Sequence, residues 1–195
     1  MNVRRICRTG LATFIASSPL LAQAHPGHGG HATLADGLAH PFTGLDHLLV
    51  MIAIGAWSAQ QAGSLRWAIP TSFVSLMIVG TVLGADFPAP GLIEQAIATT
   101  VLLCGLFLTS SLRVPVLPGL LVTGLFAVVH GVAHGMEVPE GHAGAYRLGI
   151  AAATAVLLAA GYAVGFLCAK RDAGKVALRW IGGVVTLCGL ALSVG

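Results

Sequence analysis

Charge is what this 195-residue sequence has least of: only 9% of its residues are charged, against 56% hydrophobic. A soluble domain carries about a quarter charged residues. Ten Lys/Arg and seven Asp/Glu cannot coat a water-facing surface of this size. Most of that surface must therefore face lipid, and the net charge of +3 is no argument for a nucleic-acid partner. Cysteine chemistry is scarce too. Cys7, Cys104, Cys168 and Cys188 stand singly, without a CxxC, so neither a thiolate metal site nor a disulfide framework is indicated and packing roles remain. No GxxxxGK[ST] occurs, so the chain brings no Walker site of its own for nucleotide hydrolysis.

What the sequence does have is apolar runs. Residues 1–24 read as a signal peptide: Arg4, Arg5 and Arg8 are followed by a short stretch from Leu11 to Leu21, interrupted by Ser17, Ser18 and Pro19. Ala22-Gln23-Ala24 then supplies the small-x-small cleavage pattern. The rival, an uncleaved first span, barely reaches the roughly 20 apolar residues a crossing needs. Cleavage leaves His25 as the mature amino terminus, at the head of a His/Gly-rich tail spanning 25–43. A transmembrane domain, 44–195, follows, with apolar segments at roughly 44–61, 66–85, 92–112, 115–136, 144–169 and 176–194. Lipid offers no partner to a free backbone N–H or C=O, so these segments should be helices. The expected fold is an all-α membrane protein, a bundle of about six transmembrane helices after a cleaved signal peptide.

Two signals agree on orientation. An exported amino terminus sends the loops near 62–66, 113 and 170–179 to the cytoplasm, and these hold Arg66, Arg113, Lys170, Arg171, Lys175 and Arg179. The outer loops hold only Arg147, as the positive-inside bias requires. Trp57, Trp67 and Trp180 sit at the cytoplasmic ends, where they are expected to anchor the interface. The reading is a multi-pass protein of the bacterial inner membrane with a periplasmic mature amino terminus. Ala127, Gly131 and Gly135, and likewise Gly161 and Gly165, recur at four-residue spacing, which lets helix backbones approach closely.

Against this background three polar clusters stand out. The first is His40-Pro-Phe-Thr-Gly-Leu-Asp46-His47, with Met51 one helical turn further on. The second is His130-Gly-Val-Ala-His134-Gly-Met-Glu137, and the third is the tail with His25, His28 and His31. On a helix His134 lies about 40° round from His130 and Glu137 about 20° on the other side, so the three share a face. The start of segment one and the end of segment four both lie outside, which brings the first two clusters to similar depth. Ionisable groups in spans are costly and mark sites. Imidazole with carboxylate suits Ni, Co, Zn or Cu(II), and the lack of paired thiolates argues against Cu(I). The metal-binding candidates are thus His40, Asp46, His47, His130, His134 and Glu137, with His25, His28 and His31 for capture. Plainer roles compete: packing for a membrane histidine, a first-turn carboxylate facing the helix dipole for Asp46, and an unstructured remnant for the tail.

The pairing of HPFTGLDH with VVHGVAHGME, in that order along six spans, resembles the HupE/UreJ family of hydrogenase- and urease-associated membrane proteins. Val129 departs from that pattern, standing where an aromatic often precedes the first histidine of the second motif. The resemblance implies a permease for nickel, or in some members cobalt, with the metal as cargo and no permanently bound cofactor. It carries the family's motif positions onto His40, Asp46, His47, His130, His134 and Glu137. The partners expected are a divalent metal ion and the lipid bilayer. Two other functions share these residues. An intramembrane metal-dependent hydrolase would hold zinc on His130 and His134, but HGVAH lacks the glutamate of HExxH. A non-transporting metal-binding accessory protein would need no polar route inward, and only Ser72, Ser75, Thr99 and Thr100 suggest one.

Overall fold

The structure, a computed structural model, describes residues 33–138 and 143–194. The signal peptide and the tail histidines His25, His28 and His31 lie outside the described residues. Among the described residues the helices are α1 (Leu34–Ala39), α2 (Leu45–Ser58), α3 (Leu65–Leu83), α4 (Pro90–Ser110), α5 (Val116–Met136), α6 (Ala143–Ala169) and α7 (Asp172–Val194). Short 3-10 turns occupy His40–Phe42 and Gly84–Asp86, and no strand is present among these residues. Helices α3 to α7 are five candidate membrane spans by length and hydropathy, and α1 and α2 together give a sixth if they are taken as one bent span. The expected all-α bundle of about six spans is the fold observed.

The first span differs from a plain apolar rod. With 14 residues, α2 is about 21 Å long, short of the roughly 30 Å hydrocarbon core. The segment before it, Leu34–Phe42, meets it at 81°. Local chemistry makes this break. Thr33 and Asp36 form a capping box that starts α1, satisfying free N–H groups of its first turn. Pro41, buried in the turn, has no N–H to continue a helix. The Thr43 amide and hydroxyl both turn back to the His40 carbonyl, at 3.0 and 2.7 Å. Gly44 is then extended (φ −97°, ψ 118°), and a fresh helix begins at Leu45. His40 consequently sits in the bend rather than on the α2 axis.

Close backbone approach holds the bundle together, since lipid provides little hydrophobic drive between helices. The most extensive helix pair is α3 with α5. A Cβ on Gly80 would come within 2.5 Å of the Val128 carbonyl oxygen, and one on Gly135 within 2.5 Å of that of Thr81. Gly161 and Gly165 of α6 lie on the backbone of Ile52 and Ala56 in α2 in the same way. From Ala53 to Ser58 every α2 residue is buried, which makes this the central helix. Trp57 is therefore not an interfacial anchor. It is 1% exposed, lies against the Phe107 ring at 5.2 Å, and donates its indole N–H to the Leu112 carbonyl at 2.7 Å. Trp67 and Trp180 do face outward, at 59% and 74% exposure.

Candidate metal site

The site grows from the beginnings of α2 and the end of α5. In the first turn of α2 the Asp46 carboxylate accepts the His47 backbone N–H at 2.7 Å and the His47 ring Nδ1–H at 2.8 Å. A carboxylate only accepts, so Nδ1 carries the proton and Nε2 keeps its lone pair. Gly44 makes room for this pair, because a Cβ there would lie 2.8 Å from Asp46 Oδ1 and 3.1 Å from His47 Nδ1. One turn apart on α5, His130 and His134 are both fully buried. His130 donates Nδ1–H to the carbonyl of Phe126, four residues back, at 2.9 Å, which again leaves Nε2 as the free donor atom. Glu137 caps the end of α5. From the bend before α2, His40 Nε2 reaches Glu137 Oε2 at 2.8 Å.

The four rings form a file. His40 and His134 have centroids 4.9 Å apart, His134 and His47 4.5 Å, and His47 and His130 5.1 Å. All six residues named from the sequence are thus brought together, whereas the tail histidines lie outside the described residues. Ligand atoms of His40, His134 and Glu137 lie within 4.8 Å of one another. Buried nitrogens without a hydrogen-bond partner concentrate here: His47 Nε2, His130 Nε2, and both nitrogens of His134. Leaving such a group unsatisfied costs about 1–3 kcal/mol, so this clustering marks a candidate ligand site. Lone pairs on neutral imidazole, held in place by carboxylate or carbonyl at the other nitrogen, fit a borderline divalent cation.

Sequence reasoning missed three contributors. Gly44 lies inside the first motif, yet its role depends on space that only the folded turn defines. Phe126 was legible as the residue four before His130, but it acts through its carbonyl rather than its ring. Tyr146, whose ring is 5.7 Å from that of His40, comes from α6 and has no spacing signal. The hydroxyls suggested for an inward route serve their own helices instead: Ser72 bonds to the Ile69 carbonyl, Ser75 to Thr71, Thr99 to Gln95 and Thr100 to Ile97. Met51, Phe73 and Met77 are all fully buried, and the Phe73 ring lies 6.3 Å from that of His130.

Comparison with known proteins agrees with the motifs. The family model described as HupE / UreJ protein matches residues 12–192. Protein HupE of Rhizobium leguminosarum bv. viciae is 41% identical over 178 residues, covering 91% of this chain and 92% of that protein. No solved structure matches significantly. On the family match and the length of shared sequence, the chain is a multi-pass membrane protein that belongs to the HupE/UreJ family.

Proposed function

We propose that this protein is a permease that admits a divalent transition metal, nickel or cobalt, for the maturation of metalloenzymes such as hydrogenase or urease. The carrying observation is the imidazole file, with buried ring nitrogens that have no hydrogen-bond partner. Membership of a family named for HupE and UreJ supports the same reading. Arg66, Arg113, Lys170, Arg171, Lys175 and Arg179 belong to the opposite ends of the helices, so the positive-inside bias favours a site open to the periplasm of an inner-membrane protein. After cleavage behind Ala24, His25, His28 and His31 are the candidates for metal capture. The ion is cargo, and the protein acts as a conduit rather than as an enzyme. Imidazole and carboxylate suit this task because an ion must be held firmly enough to enter and loosely enough to leave.

The test is uptake of radiolabelled Ni²⁺ and Co²⁺ by vesicles that contain only this protein. Accumulation above empty vesicles, saturable and lost in His130→Ala, is the expected result. One observation favours a second reading, a metal-binding accessory protein that does not transport: the Ser72, Ser75, Thr99 and Thr100 hydroxyls, the candidates for a polar route inward, are bonded to carbonyls of their own helices. Tight binding by the purified protein without vesicle uptake would decide for that alternative.

A further inference from the structure

Three of the four imidazoles are tethered and one is not. His40 is tied to Glu137, His47 to Asp46, and His130 to the Phe126 carbonyl. His134 has no hydrogen-bond partner at either nitrogen, although it is fully buried. It also stands in the middle of the file, 4.9 Å from His40 on one side and 4.5 Å from His47 on the other. Because its two nitrogens lie on different edges of the ring, rotation about the side-chain bonds can offer a lone pair to either neighbour.

We infer that the six residues form two successive metal stations that share His134, which hands the ion from one to the other. This rests on the metal reading above. The outer station consists of His40, Glu137 and His134, whose ligand atoms already lie within 4.8 Å of one another. The inner station consists of His47 Nε2, His130 Nε2 and His134; unlike the outer set, its ligand atoms are not already gathered within 4.8 Å, and the His47 ring, 5.1 Å from His130 and 4.5 Å from His134, joins them. Asp46 is a positioning residue: it holds the His47 proton on Nδ1 and so aims Nε2 at the ion. Each station has three protein ligands only while His134 is turned towards it, so an ion leaving one is drawn to the other and neither holds it permanently.

The two ligand sets differ in chemistry, and that difference sorts ions. The outer set includes a carboxylate from a residue 32% exposed at the rim, and oxygen accepts hard cations such as Mn²⁺ and Mg²⁺ as well as Ni²⁺ and Co²⁺. The inner set is all imidazole nitrogen, with His130 and His134 fully buried and the His47 side chain 13% exposed, and it rejects ions that prefer oxygen. Capture is therefore broad at the rim, and selection takes place one step inward.

The experiment uses the full chain in lipid nanodiscs, with Co²⁺ as the spectroscopic probe and Mn²⁺ as competitor. Electron paramagnetic resonance of bound Co²⁺ in the unmodified protein should give two environments; a single environment at every loading overturns the inference. Glu137→Gln should keep the all-nitrogen environment and resist Mn²⁺. His130→Gln should keep the oxygen-containing one and lose Co²⁺ to Mn²⁺. His134→Gln should weaken Co²⁺ binding by about 100-fold, beyond either single-station variant, because it strips a ligand from both. If Glu137→Gln, His130→Gln and His134→Gln all lose Co²⁺ alike, there is one six-residue site and the inference fails. Vesicle uptake by the unmodified protein keeps the two readings apart. Split environments without uptake would leave the stations standing and remove the permease, whereas uptake with a single environment would do the reverse.

Discussion

The two ends of the bundle treat buried polar groups in opposite ways. At the end where α2 finishes, Gln61 is 3% exposed and its amide is fully engaged. It donates to the carbonyls of Trp57 (3.3 Å) and Leu112 (2.9 Å) and accepts the Val114 N–H at 3.3 Å. Trp57 adds its own bond to Leu112, and the Ser58 hydroxyl bonds to Gly55. At the other end, where α2 starts, four buried imidazole nitrogens have no hydrogen-bond partner. The first end is a structural clasp joining α2 to the loop between α4 and α5. The second leaves donor atoms without partners, which is what the proposed metal site requires.

That contrast is sharpest for His134. Because both nitrogens are unsatisfied, His134→Leu should lower metal uptake by about 100-fold or more, above the range usual for supporting residues. The melting temperature should nevertheless hold or rise, since an unpaired buried polar group is replaced by an apolar one of similar size. A clear fall in melting temperature would mean that His134 is a packing residue. At the opposite end, Gln61→Leu should invert the result. It leaves the Val114 N–H without its partner and should cost about 1–3 kcal/mol of stability, read as a lower melting temperature, with metal binding unchanged.

A smaller effect is expected where the contrast depends on space rather than on a ligand. Gly44→Ala would press on the Asp46–His47 pair and should reduce uptake by about tenfold, the lower limit for a group that only orients a ligand. Normal uptake in this variant would show that the pair tolerates movement. Ser64→Ala should do least. Ser64 is exposed and makes no side-chain cap on α3, so melting should stay within about 0.5 kcal/mol and uptake should match the unmodified protein.

Much of the site was legible because its halves are local. His130, His134 and Glu137 share a face by helical periodicity, and Asp46 and His47 are neighbours in a first turn. The hydropathy pattern located the remaining spans closely, from α3 at Leu65–Leu83 to α7 at Asp172–Val194. The 81° break before α2 was not legible as geometry. Pro41 and Gly44 announce an interruption, but the direction of a bend depends on what it packs against: here Gly37 lies on the Tyr146 backbone of α6. Trp57 was misread for a related reason. Its place at the end of an apolar run suits a lipid interface, and only the central position of α2 turns it inward.

Composition alone dictated lipid as the solvent and helix as the element, because a chain with so few charges cannot face water and lipid leaves no backbone group unpaired. The sequence also named the imidazoles and carboxylates. Which atoms of them remain free was decided in three dimensions. The His40–Glu137 contact joins the bend before α2 to the end of α5, and the His47–His130 contact joins two helices far apart in sequence. These meetings depend on glycines that bring helix backbones together, Gly80 and Gly135 between α3 and α5, and Gly161 and Gly165 of α6 against α2. Hydropathy is a property of each segment and says when a helix crosses; the choice of neighbour is made by steric fit between backbones distant along the chain.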